Sequence, residues 1–392
     1  MVASIWRALP ESRRNFGAVA DLAQSFGIRI LAETLREFSY RAVQATPESQ
    51  NVSLDSRLRN PIVLAGNFTA PGQIELIDIP EPELPPAPTD GGPPQMIFQP
   101  ECTCLCGSDL PYFKMTDEWP IEVGHSLHEM TGTVIATNGT RFQPGERVLC
   151  VPINQNGLRE RFLIDDSRAI RIDTRVSEEE AMLAQPLGTV IFALKKMPNL
   201  IDLDVAVIGQ GPIGQMFNMC LRNLGARHII GIDLLESRLA ASKVSGATET
   251  VCNATANPIE AVREILGGEL PDIVIEAVGH YDQQFDLAID LCRPWGRILY
   301  FGVPPERVDV KWRDTLFKNL TVHSSMNPNF ERDFPLAMRW IGEGRVNVKP
   351  LITHRFPLAQ IQQAFEVFRD RHEGAQKVIV EFPSWQGRSI TD

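Results

Sequence analysis

The segment "DVAVIGQGPIGQMFNMCLRNLGA", residues 204–226, restricts the fold of this chain more than any other. Val205 to Ile208 form an unbroken apolar run, the pattern of a parallel strand buried on both faces. Gly209, Gly211 and Gly214 then give the G-x-G-x-x-G spacing, and helical periodicity follows. Gly209 permits a tight turn, Gly211 lets the backbone approach a pyrophosphate, and Gly214 lets helix and strand pack closely. Pro212 and Ile213 open a helix whose free amides and positive dipole end favour phosphate. The spacing alone is a weak signal; between such a strand and such a helix it specifies a dinucleotide site.

Asp233 closes the next strand, "HIIGID", nineteen residues after Gly214. A carboxylate there accepts hydrogen bonds from a ribose with free hydroxyls and repels a 2′-phosphate, which points to NAD. The alternative is that Asp233 caps the helix of "LESRLAAS", and nearby Arg238 is a residue that could tolerate extra phosphate. The alternation continues through "PDIVIEAVG", a helical "YDQQFDLAIDLC" and "GRILYFGVPP". Residues 187–330 therefore read as a doubly wound α/β domain.

The flanks read differently. "NPIVLAGNFTAPGQIELIDIP", "QMIFQPECTCLC", "TGTVIAT" and "ERVLCVP" alternate in the manner of short strands, with "PEPELPPAPTDGGPPQ" as a loop between two of them. The last segment ends in a helix and a strand and is assigned back to this β-rich, barrel-like part. The catalytic half then comprises 58–186 and 331–392, with the cofactor half inserted. Residues 1–57 carry Phe16, Val19, Ala23, Leu31, Leu35 and Phe38 at helical intervals. A helical docking or oligomerisation extension is expected there. Glu11, Asp21, Glu33 and Glu37 argue against a transit peptide, and a misplaced start codon is the third alternative.

A chain of 392 residues with 43% hydrophobic and 22% charged residues has room for two cores. The net charge of −11 argues against a nucleic-acid partner. No apolar run reaches the roughly 18 residues a membrane span needs. Seven dispersed cysteines fit a reducing, cytoplasmic setting better than a disulfide framework.

"CGSD" at 106–109, "HEMTGTV" at 128–134, "GERV" at 145–148, "GQGPIG", "EAVG" and "FGVPP" occur in this order. Together they resemble the medium-chain dehydrogenase/reductase superfamily, in its zinc-type alcohol dehydrogenase family and most closely the polyol and sugar branch. The resemblance runs from about residue 58 to 384. It implies a Rossmann-type domain inserted in a GroES-like catalytic domain, one catalytic zinc, and hydride transfer between a secondary alcohol and NAD. It implies Cys106, His128, Glu129 and Gln185 as metal ligands, Ser108 as proton relay, and Asp109 as a carboxylate orienting a ligand. It further implies Val278 and Gly302 beside the nicotinamide, a small-molecule alcohol or carbonyl substrate, and a homodimer or homotetramer.

Only His128 has the register of the family's His-Glu pair, which leaves His125 as an upstream neighbour. Cys102 and Cys104 read as packing, because positions along one strand do not converge readily on a tetrahedral centre. Three departures from the family stand out. Gln185 occupies a position usually held by Cys or Glu, Pro111 replaces a histidine of the proton path, and Cys150 stands alone where relatives carry a structural zinc lobe. Counting Cys106 and Glu129 as anions still balances Zn²⁺. A zinc-free reductase on the same scaffold and a non-catalytic NAD-binding protein remain the competing readings.

Overall fold

The computed structural model describes residues 61–89, 91–115, 121–279 and 283–383. The expected N-terminal extension lies outside the described residues. The chain divides into units 1–59 and 60–392, and the second is described here.

Fifteen strands are described. Ile62–Ala70 (β1) and Gln73–Pro80 (β2) form an antiparallel pair. Gln95–Cys104 (β3), Met130–Thr137 (β4), Arg147–Cys150 (β5), Phe162–Asp165 (β6) and Ala169–Arg171 (β7) follow. Next come Asp204–Ile208 (β8), His228–Asp233 (β9), Glu249–Cys252 (β10), Ile273–Glu276 (β11), Arg297–Tyr300 (β12) and Thr321–Ser324 (β13). Ile352–Pro357 (β14) and Lys377–Glu381 (β15) complete the set. The proline-rich segment is the loop between β2 and β3.

The middle six strands make a sheet of order β10-β9-β8-β11-β12-β13, parallel at every pairing. This is the Rossmann order, with its topological switch between β8 and β11. The apolar run of β8 is buried on both faces as its sequence requires. Val205 and Val207 enter one core, while Ala206 and Ile208 enter the other.

The remaining sheet runs β14-β15-β3-β4-β5-β7, with β6 pairing the far part of β3. Its aromatic core includes Phe68, Phe98, Phe113, Phe142, Phe162 and Phe365. The two C-terminal strands thus belong to the β-rich sheet, and β15 pairs antiparallel with β3 through Ile379–Cys104, Val380–Thr103 and Glu381–Cys102. That pairing delivers Lys377 to the end of β3, where Cys106 follows. Among the described residues, no helix is long and apolar enough to cross a membrane.

Candidate active site

The ends of β3 and the start of β4 build the site. Cys106 leaves β3 into a short turn, Gly107–Asp109, and Asp109 is fully buried. Its Oδ2 accepts the Cys106 amide at 2.7 Å. Its Oδ1 accepts the Ser126 hydroxyl at 2.7 Å and the Leu127 amide at 2.8 Å. One carboxylate therefore ties the Cys106 turn to the residues just before His128. Ser126 and Leu127 have φ of 92° and 65°. Non-glycine residues there cost roughly 1–3 kcal/mol each, and the Asp109 bonds hold them in place. Asp109, expected to orient a ligand, bonds two backbone amides and the Ser126 hydroxyl, and so acts on the loops that carry Cys106 and His128.

Among the described residues, ligand atoms of Cys106, His128 and Glu129 all lie within 4.8 Å of one another. Burial opposes charge on the His128 ring, but the Cys106 sulfur, Asp109 and Glu129 outweigh it and push its pKa up to about 9. His128 Nδ1, Glu129 Oε1 and Ser108 Oγ are buried with no hydrogen-bond partner among the described residues. A thiol, an imidazole and a carboxylate with unpartnered polar atoms fit a zinc ion in donor chemistry. Gln185, the second residue of the helix Ala184–Leu194, is buried. His125 is used elsewhere: its Nδ1 accepts the Glu122 amide at 3.0 Å, and its ring lies 5.5 Å from that of Tyr112.

Two partners of Glu129 were not expected. Lys377, only 2% exposed, forms an ion pair with Glu129 Oε2. The Cys104 thiol donates to the same oxygen at 2.7 Å. Cys104 lies in the core, as read from the sequence, and its side chain also meets the candidate ligand carboxylate directly. Cys102 instead bonds Thr131 Oγ1 at 3.0 Å. Burial, then the Glu129 charge, holds the Cys104 thiol well above its usual range, so it keeps the proton it donates. Burial would strip the proton from Lys377; the Glu129 carboxylate it bonds and the nearby Cys106 more than offset this and raise its pKa. The charge balance changes accordingly. If Cys106 and Glu129 bind a metal as anions and His128 as a neutral imidazole, a cationic Lys377 leaves one net negative charge, not two.

In the cofactor half, Gly209 has φ 90°, and a Cβ on Gly214 would stand 1.9 Å from the Gly209 carbonyl oxygen. Both glycines are therefore required sterically. Gly211 precedes the helix Pro212–Asn223, with Pro212 and Ile213 in its first turn. Asp233 Oδ2 accepts the Gln210 amide at 2.7 Å, and Oδ1 accepts the Leu235 amide at 2.9 Å. Asp233 thus braces both the glycine turn and the entry to the helix Glu236–Val244. Arg238 lies 3.7 Å from Asp233 Oδ2 and borders Gly211. Val278 is exposed at the end of β11, and Gly302 follows β12.

The family described as zinc-binding dehydrogenase matches residues 212–343. An L-threonine 3-dehydrogenase of Coxiella burnetii is 27% identical over 74% of this chain and 93% of its own length. The alcohol dehydrogenase TADH from Thermus sp. ATN1 shares the fold, with a TM-score of 0.72 at 23% identity over 82% of this chain and all of its own. Galactitol-1-phosphate dehydrogenase from Escherichia coli does so at 0.72 and 20%, over 81% of this chain and 99% of its own. The chain is thus similar to the zinc-type medium-chain dehydrogenase/reductase superfamily, through the matched segment 212–343 and these relatives. It is an oxidoreductase of the dehydrogenase type, and the superfamily's chemistry calls on a pyridine nucleotide and zinc.

Proposed function

We propose that this protein is a zinc-dependent dehydrogenase that moves hydride between a secondary alcohol (a polyol, sugar or similar compound) and NAD. The observation that carries the reading is the convergence of Cys106, His128 and Glu129 within 4.8 Å beside unpartnered, buried polar atoms. Those three residues with Gln185 would hold the metal. Zinc supplies Lewis-acid polarisation of the carbinol oxygen when bound.

The rest of the work falls to the chain. Ser108 Oγ, buried next to the Cys106 turn, takes up the carbinol proton and passes it to solvent. The glycine turn and the following helix hold the pyrophosphate. Asp233 selects an unphosphorylated ribose, and the Val278 and Gly302 segments orient the nicotinamide. The β-rich part, 58–186 and 331–392, carries the substrate; 187–330 carries the cofactor. Relatives named for L-threonine and galactitol 1-phosphate support an alcohol as the substrate class without choosing one.

The Lys377–Glu129 ion pair favours a second reading, a zinc-free reductase, because the lysine supplies a resident positive charge. Zinc content together with NAD reduction on an alcohol panel separates the two. Zinc-dependent NADH formation is the expected result; turnover that survives complete chelation would select the second.

A further inference from the structure

We propose that Glu276 is a positioning residue for the nicotinamide half of the cofactor; this rests on the dinucleotide site proposed above. Glu276 is the last residue of β11 and is fully buried. Its Oε1 accepts the amides of Val278 and Gly279, both at 2.8 Å. Its Oε2 accepts the Gly302 amide at 3.1 Å, an amide shared with the Glu276 carbonyl at 3.2 Å. One carboxylate therefore staples the loop after β11 to the loop after β12.

The staple coincides with a close backbone approach. A Cβ on Gly302 would stand 2.2 Å from the Gly279 nitrogen and 2.6 Å from Glu276 Oε2. Nothing larger than glycine fits at 302 without parting the loops. The same loops flank the topological switch, the crevice in which this fold takes its dinucleotide. Val278 and Val303 are exposed on them, and the Val278 side chain abuts Gly209 of the pyrophosphate turn. The pyrophosphate end of the site is fixed independently, by Gly209, Gly214 and the Asp233–Gln210 bond. Two separate anchors thus serve the two halves of the ligand.

Glutamine at 276 keeps the size but faces three amide donors with one acceptor oxygen and an NH₂ group. The loops then lose their common anchor while the glycine turn keeps its own. The test is calorimetric titration of the full-length wild type, Glu276→Gln and Gly302→Ala with NADH and with ADP-ribose, each variant checked by thermal melting. Both folded variants should weaken NADH by about tenfold or more and leave ADP-ribose within about twofold. Equal weakening of the two ligands, or no weakening of NADH, overturns the proposal. If Glu276→Gln does not fold, Gly302→Ala decides alone, and failure of both to fold assigns Glu276 to stability and overturns it. Wild-type protein that binds neither ligand contradicts the dinucleotide site itself, a result distinct from any difference among variants.

Discussion

Glu129 has two oxygens in two situations: Oε2 is held by Lys377 and Cys104, while Oε1 has no partner among the described residues. The lysine holds the carboxylate in place and reduces the negative charge offered to a metal. Lys377→Met should therefore destabilise the zinc-free protein by about 3–5 kcal/mol, the cost of stranding a buried charge. Zinc should restore more of that loss in the variant than it adds to the wild type, because Glu129 is then free to turn to the metal. Thermal melting with and without zinc measures both effects, and an equal response in the two proteins would count against Glu129 as a ligand. None of this pairing was legible in the sequence. Lys377 lies 248 residues from Glu129, and the pairing of β15 with β3 alone brings them together. Its position offered Asp233 for the ribose, but gave no sign of its bonds to Gln210 and Leu235. Asp233→Asn keeps one acceptor and removes the charge, so discrimination against NADPH should fall by about tenfold or more. Competitive titration of NADH and NADPH reads it; an unchanged ratio would detach Asp233 from cofactor choice.

At the scale of elements, the strand–turn–helix at 204–223 was readable because its signals are local. Four apolar residues in a row, three spaced glycines and a proline at the helix start each act within one turn of chain. Gly214→Ala should push the helix Pro212–Asn223 off β8, since its Cβ would meet the Gly209 carbonyl at 1.9 Å. A stability loss of about 1–3 kcal/mol is expected, with marked weakening of NADH in titration. Retention of wild-type NADH affinity would mean the turn does not meet the pyrophosphate. The turn before His128 was not readable, because left-handed backbone at Ser126 and Leu127 goes against the preference of both residues. Only the buried Asp109, bonded across from the Cys106 turn, shows why that conformation persists. The Glu276 staple was hidden for a related reason: a glutamate ending an apolar strand gives no sign of which amides it will reach.

At the scale of the molecule, the order of motifs already implied a parallel cofactor sheet between two parts of a β-rich sheet, and the strand orders have that arrangement. Cys106 and His128 come together because β3 and β4 are antiparallel neighbours, with Glu129 directly before β4. The centre of the proposal is that this convergence holds a metal. Zinc per chain, measured on wild type, His125→Ala and His128→Ala after zinc loading and dialysis, tests it most directly. The wild type should retain about one zinc and His125→Ala most of it, a loss there staying within about 10- to 100-fold in affinity. His128→Ala should retain almost none. Equal loss in the two histidine variants, or a wild type that keeps no zinc, would contradict the site.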